Sequence, residues 1–394
     1  MKRLLLAGAA TMALASGAHA EDIKIGIILG FTGPLESITP NMAAGAELAI
    51  AEVNAAGGIL DGKTVAAVRG DSTCIDAAAA TAAAERLVTV DKVNAIMGAD
   101  CSGVTGAILQ NVARPNGVVM ISPSATSPGL STAEDDGLFF RTAPSDARQG
   151  VVMSDILKDR GITEVAVTYT NNDYGKGLAD SFANAFAASG GKVTINIPHE
   201  DGKADYSAEV GALAAAGGKI LVVAGYLDQG GLGVIQAALD SGAFDTFMLP
   251  DGMVGEALPK NVGPGLNGSF GQFPGTDSQG AEIFQGLAKA AGFEGTSAFA
   301  PESYDAAALI MLAMQAAGSS NSADFKGKVM DLANAPGVEI FPGELAKAIE
   351  LIKAGTDIDY VGATAVELIG PGESAGNYRE IEIQDGKIAT VGFR

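Results

Sequence analysis

The chain has 394 residues and a formal net charge of −21, with 46 acidic side chains against 25 basic ones. Such a surface repels nucleic-acid phosphates and anionic membranes. Hydrophobic residues make up 47% and charged residues 18%, which excludes a disordered chain and leaves enough core for two domains of ordinary size.

The first twenty residues read as an export signal. Lys2 and Arg3 precede a small, apolar run from Leu4 to Ala15, and Ala18-His19-Ala20 fits the small-x-small pattern of signal-peptide cleavage. That run is too short to span a bilayer, and no later segment has about 18 unbroken apolar residues. The expectation is an exported, periplasmic protein starting at Glu21. The two cysteines, Cys74 and Cys101, both lie downstream of this signal, where disulfides persist. Each follows an expected strand, so a bond between them is favoured over two separate buried thiols.

Short apolar strands then alternate with longer amphipathic helices. Strands are expected at 23–29, 64–69, 95–97 and 118–122, with helices at 42–54, 77–89 and 104–114. The strands are continuously apolar, as in a parallel sheet covered on both faces. The pattern restarts with strands at 164–169, 193–197, 220–223 and 246–249, and helices at 177–189, 207–216 and 232–241. Two such runs make an α/β fold of two doubly wound, Rossmann-like lobes. Residues 263–275 are rich in Gly and Pro and are expected to cross back between lobes. Helices follow at 281–291, 304–317, 323–334 and 344–353, and Gly370-Pro371-Gly372 is another candidate crossing. Residues 378–391 alternate as an antiparallel hairpin, turning at Gln384-Asp385-Gly386-Lys387. The division expected is 21–142 plus 273–365 for one lobe and 143–272 plus 366–394 for the other.

Open α/β sheets bind ligands beyond the carboxyl ends of their strands. Gly98-Ala99-Asp100-Cys101-Ser102-Gly103 leaves one such end, with Ser102 placed to cap the next helix, and Ser122-Pro123-Ser124-Ala125-Thr126 leaves a second. Hydroxyls and free N–H groups there can bind an anion without a formal positive charge. In the second half Asn171-Asn172-Asp173-Tyr174-Gly175, Gly225-Tyr226-Leu227-Asp228 and Leu249-Pro250-Asp251-Gly252 occupy equivalent places. Tyr174 and Tyr226 offer apolar faces with polar tips, and Asp251 could neutralise an ammonium group. Each segment taken singly also reads as ordinary turn and capping chemistry.

Together these residues resemble the leucine/isoleucine/valine-binding protein family of periplasmic receptors. The matching stretches include Ile23-Lys-Ile-Gly-Ile27, Thr32-Gly33-Pro34, Gly45-Ala-Glu-Leu-Ala49, Ile50 to Ile59, Cys101-Ser102, Ser122 to Thr126, Phe140-Arg-Thr-Ala-Pro144, Asp173-Tyr-Gly-Lys-Gly177 and Phe299 to Asp305. They cover most of residues 22–310; the chain beyond Phe341 matches poorly. The resemblance implies two lobes joined by three crossing segments that close on a ligand, and it supports the Cys74–Cys101 bond. It implies that Ser102, Thr126 and the backbone at Ser124 hold an α-carboxylate, and that Asp251 meets the α-ammonium. Tyr174 and Tyr226 then close from the second lobe, with Phe299 also among the ligand contacts. It further implies an amino acid as ligand, membrane permease subunits of an ABC transporter as partners, no cofactor, and a monomer.

The departures lie where the ligand's side chain would sit. Ile38 stands where leucine-binding members carry an aromatic residue, and Asp100 where they carry an apolar one. Glu36 and Glu302 lie in nearby loops. An acid facing a leucine side chain would be desolvated without a partner. The ligand is therefore expected to be a branched-chain amino acid or, if Asp100 faces it, one with a polar or cationic side chain; the alternative is that Asp100 turns to solvent.

Enzyme motifs fail in context. Gly263-Pro-Gly-Leu-Asn-Gly268 satisfies G-x-G-x-x-G but no helix is expected next, and Gly372-Glu-Ser-Ala-Gly376 satisfies G-x-S-x-G but precedes a strand. His199, the one histidine beyond the signal, reads as a surface residue, and no cluster has metal-ligand spacing. The remaining alternatives are a soluble ligand-sensing subunit of a signalling system and an exported hydrolase lacking a visible base.

Overall fold

The computed structural model describes residues 22–394, so the export signal read at residues 1–20 lies outside the described residues. Five parallel strands open the chain: β1 (Ile23–Leu29), β2 (Val65–Asp71), β3 (Ala95–Gly98), β4 (Met120–Ser122) and β5 (Phe139–Pro144). A second set follows with β6 (Glu164–Thr170), β7 (Lys192–His199), β8 (Ile220–Ala224), β9 (Phe247–Leu249) and β10 (Phe270–Pro274). Later come the small parallel pair β11 (Val338–Ile340) and β12 (Ile358–Tyr360), then β13 (Leu368–Ile369), β14 (Glu373–Ser374), β15 (Tyr378–Gln384) and β16 (Lys387–Phe393). The two large sheets run β13-β14-β5-β4-β3-β1-β2 and β16-β15-β10-β9-β8-β6-β7. The continuous apolar strands are buried on both faces, as their composition demands.

The helices of the first sheet are α1 (Thr39–Ala55), α2 (Ala77–Thr89) and α3 (Ser102–Ile108), the last running through a π-turn into the short α4 (Arg114–Asn116). Those of the second are α5 (Asp146–Asp159), α6 (Asp173–Ala188), α7 (Ser207–Ala216), α8 (Gly230–Ser241) and α9 (Ala257–Val262). They are followed by α10 (Gln279–Ala291), α11 (Ala300–Ala317), α12 (Ser322–Leu332) and α13 (Leu345–Lys353). Their starts are set by local chemistry. Asp76 accepts from the N–H groups of Ala78 and Ala79 at the head of α2, and Asn172 accepts from Gly175 N at the head of α6. The almost wholly buried α11 lies against α1, where a Cβ on Gly45 would sit 2.3 Å from the Ala300 carbonyl oxygen. Only glycine permits that approach.

Three expectations need correction. The strand β5 and the helix α5 are both absent from the sequence reading; β5 is buried throughout and α5 is capped by Ser145. Residues 270–274, expected to be a crossing, form a buried strand of the second sheet. Residues 366–374 were assigned to the second lobe, yet β13 and β14 pair into the first sheet, and Gly370-Pro371-Gly372 is the turn of their hairpin. The last passage between sheets therefore follows Ser374. Arg141 fixes this region: its guanidinium is buried, pairs with Glu373 at 2.5 Å, and donates to the carbonyls of Ala125 (3.0 Å) and Ser127 (2.9 Å).

The Cys74–Cys101 bond is formed, with Cα atoms 5.1 Å apart and a sequence separation of 27. It ties the loop after β2 to the loop after β3. Closing that loop restricts the unfolded chain by about 3.5 kcal/mol on the entropy model. Replacing both cysteines by serine is expected to lower unfolding free energy by about 2–4 kcal/mol, read as a fall in denaturant midpoint against the oxidised protein.

Candidate functional site

Loops from both sheets converge on one narrow space, with a free volume of only about 10 Å³. The first sheet contributes Asp100, Cys101 and Ser102 after β3, and Ser124 after β4; the second contributes Tyr174, Tyr226 and Asp251. Leu35 and Phe299 complete the wall. The lobes are closed over it: Ser37 N donates to Asp228 Oδ2 at 2.9 Å, and Asp228 N donates to the Pro34 carbonyl at 3.1 Å.

On the first-lobe side the hydroxyls do different jobs. Ser102 is the first residue of α3, not its cap, which is Cys101. Its Oγ accepts from Thr126 N (3.1 Å) and Ser127 N (3.0 Å), so its own proton is left to donate outward. Ser124 Oγ spends its proton on the Asp100 carbonyl at 2.9 Å. Thr126 lies buried just beyond this wall, and its Oγ1 has no hydrogen-bond partner among the described residues. Two hydroxyl protons, from Ser102 and Thr126, are thus available to an acceptor.

The opposite side is anionic. Asp251, 1% exposed, accepts from the Tyr174 hydroxyl at 2.6 Å and from Gly252 N at 2.9 Å. A Cβ on Gly252 would sit 2.5 Å from the Gly225 carbonyl oxygen and 2.8 Å from the Tyr174 hydroxyl, so glycine there lets Tyr174 reach the acid. The Tyr174 and Tyr226 rings stack with centroids 5.2 Å apart. A second acid, missed in the sequence, stands beside Asp251. Asp146 opens α5, is fully buried, and neither of its oxygens is hydrogen-bonded; the Gln149 amide nearby is equally unpartnered. Burial first, and then the neighbouring Asp251, push the Asp146 carboxyl well above the usual carboxylate range. Burial also raises Asp251, against the hydrogen bonds from Tyr174 and Gly252.

The residues proposed for specificity divide. Asp100 neither turns to solvent nor stands unpartnered: one oxygen accepts from Gly30 N at 2.9 Å and the other from Ser72 Oγ at 2.8 Å. Burial raises its pKa and these bonds lower it. Ile38 is buried but does not line the enclosed space; Leu35 of the same loop does, and Ile38 faces a separate hollow. Glu36 is exposed. Glu302 belongs to α11 rather than to a loop, lies outside the enclosed space, and is held by burial at a pKa of about 8. His199 is not a surface residue. It ends β7, is buried, shares a hydrogen bond of 2.9 Å between Nδ1 and Thr168 Oγ1, and is pushed down by burial to about 4. Cys74, Cys101 and Asp100 lie together, but sulfurs bonded to each other cannot ligate a metal. Among the described residues no helix is long and apolar enough to cross a membrane.

A family model described as "Periplasmic binding protein" matches residues 22–348. The chain is 32% identical over 329 residues to Leu/Ile/Val-binding protein homolog 1 of Brucella melitensis, covering 82% of this chain and 86% of that one. A branched-chain amino acid transporter substrate-binding protein of Streptococcus pneumoniae, solved with isoleucine, superposes with a TM-score of 0.77 at 24% identity, covering 94% of this chain and 99% of that one. An ABC-transporter solute-binding protein of R. palustris, solved with 4-hydroxybenzoate, gives a TM-score of 0.76 at 21% identity, with 95% and 97% covered. The two solved structures share this fold of two α/β lobes around a cleft, and the extent of the sequence match carries the conclusion: the chain belongs to the periplasmic binding protein family.

Proposed function

We propose that this protein is the ligand-capturing component of an ABC importer in the periplasm, and that its ligand is an α-amino acid with an apolar side chain. One observation carries the reading: two buried acids, Asp146 and Asp251, and two hydroxyls with a proton to give, Ser102 and Thr126, meet at the cleft, Asp146 N donating to the Thr126 carbonyl at 2.8 Å, with no protein cation in an ion pair with either acid among the described residues. A zwitterion supplies what both sides lack. Its carboxylate takes the hydroxyl protons, and its ammonium compensates the acids. A benzoate, the class bound by the R. palustris protein, would leave both acids uncompensated. The relatives named for leucine, isoleucine and valine point the same way. An apolar side chain suits the character of the wall, where Leu35, Phe299 and Cys101 border the space, while Asp100 has its oxygens engaged within its own lobe. A cationic side chain finds no unpaired acid at that end.

Closure follows from the division of labour. Each lobe holds one pole of the ligand, so the ligand binds the closed arrangement better than the open one and shifts the population toward it. The closed form is what a permease would read.

Isothermal titration with L-leucine tests the reading. Thr126→Ala and Asp251→Asn are each expected to weaken binding about 10- to 100-fold, the worth of a hydrogen bond to a charged group. Tight binding of benzoate with no response to any amino acid would remove the proposal. Asp146→Asn separates ligand compensation from fold. A carboxyl whose folded pKa is raised costs stability at pH values above the ordinary carboxylate range, because the unfolded chain ionises it freely. The variant should therefore raise the melting temperature of the empty protein while weakening L-leucine binding at least about tenfold. A fall in both would make Asp146 merely structural. The same logic sets the pH dependence. In the empty cleft the raised acids keep protons that an ammonium ligand must expel, so affinity should be weaker at about pH 5 than at about pH 8.

A further inference from the structure

A second hollow, of about 540 Å³, opens between the lobes on the side faced by Ile38. It has the volume of an ordinary small-molecule site. Both lobes wall it, through residues within 37–41 and 294–298 on one side and 254–261 on the other. Its floor is the cross-strand pair Phe273 and Arg379, on the two strands that flank the passages between sheets. The Arg379 guanidinium lies 5.5 Å from the Phe273 ring centroid, and its Nε donates to Thr390 Oγ1 at 2.6 Å. Its two terminal nitrogens make no hydrogen bond and no ion pair among the described residues.

Unlike the cleft, this hollow has cations in its wall as well as acids, Arg379 first among them. Lys260 adds a second cation. The two rim acids, Glu256 and Glu294, are both exposed; Glu294 lies near enough to Arg379 to favour its charge but makes no ion pair with it, its Oε1 accepting instead from Thr296 N (3.0 Å) and Thr296 Oγ1 (2.7 Å). A guanidinium with its fork free, backed by an aromatic ring and bordered by Ile38 and Ile388, matches a planar carboxylate on an apolar body.

We propose that this hollow is a second ligand site, for a small monocarboxylate with an apolar body, which pairs its carboxylate with the terminal nitrogens of Arg379 and rests its body on Phe273, Ile38 and Ile388. Such a compound lacks the ammonium that the cleft requires, so the two sites select different chemistry. Because both lobes wall the hollow, its occupant stabilises the closed arrangement and is linked to cleft occupancy without touching it.

Isothermal titration with phenylacetate tests this. The wild-type protein is expected to bind it. Arg379→Gln, and Ala257→Trp, which fills the hollow while leaving Arg379 in place, should each weaken binding at least about tenfold. Thr126→Ala, which disables the cleft, should leave it unchanged. Absence of binding to the wild-type protein overturns the proposal. So does binding that survives Arg379→Gln but is lost in Thr126→Ala, which would place phenylacetate in the cleft and count against the cleft's need for a cation instead.

Discussion

Two carboxylates share one buried patch at the second-lobe side of the cleft, and the protein offers neither of them an ion pair among its described residues. Taking such charges out of water costs several kcal/mol each unless a partner is supplied. Asp251 recovers part of that cost through Tyr174 and Gly252, and Asp146, whose oxygens accept no hydrogen bond of good geometry, recovers less, from the neighbouring Thr126 and the more distant Arg141. The nearest buried guanidinium, Arg141, is committed elsewhere, to Glu373 and to the carbonyls of Ala125 and Ser127. On the proposed reading, the compensating charge arrives with the ligand.

The rest of the fold serves that arrangement. Arg141 offsets Asp146 only from a distance, because its hydrogen bonds hold the loop carrying Ser124 and Thr126 in place, and Glu373 on β14 holds Arg141 in turn. The Cys74–Cys101 bond and the Asp100 carboxylate do the same for the loop carrying Ser102, through Gly30 and Ser72. An acid that at first suggested a charged ligand is therefore a positioning residue for the loop beside the cleft. On the proposed reading, the donors and the acids are brought to one ligand by the meeting of the lobes. That is how a binding energy becomes a change of shape.

Much of this could be read along the chain, because doubly wound sheets write themselves as short apolar runs alternating with helices. The strands β1, β6 and β8 and the helices α2 and α7 follow from period and capping alone. The loops after β3, β4, β6, β8 and β9 follow from the rule that such sheets bind at their strand ends. What escaped has physical reasons. An aspartate just after a serine cap, as in Ser145-Asp146, looks like ordinary complementation of a helix dipole, and only the burial of that helix start turns it into a site residue. His199 sits among polar neighbours in sequence, but the strand end it occupies is covered by the loop carrying Gly225 and Gly230. The hinge strands β10 and β14 are short and contain Pro or Gly nearby, so local pattern could not separate them from crossings. Leu35 and Ile38 lie on one loop, and which of them meets the ligand depends on a turn that spacing does not specify.

The most direct test is to release and weigh whatever the protein carries when purified from its own export compartment under native conditions. The account predicts a small molecule whose mass and fragmentation identify an α-amino acid with a free ammonium group and an apolar side chain, held in the cleft. A ligand without a cationic group, such as a neutral sugar or an aromatic acid seated against Asp146 and Asp251, would contradict it.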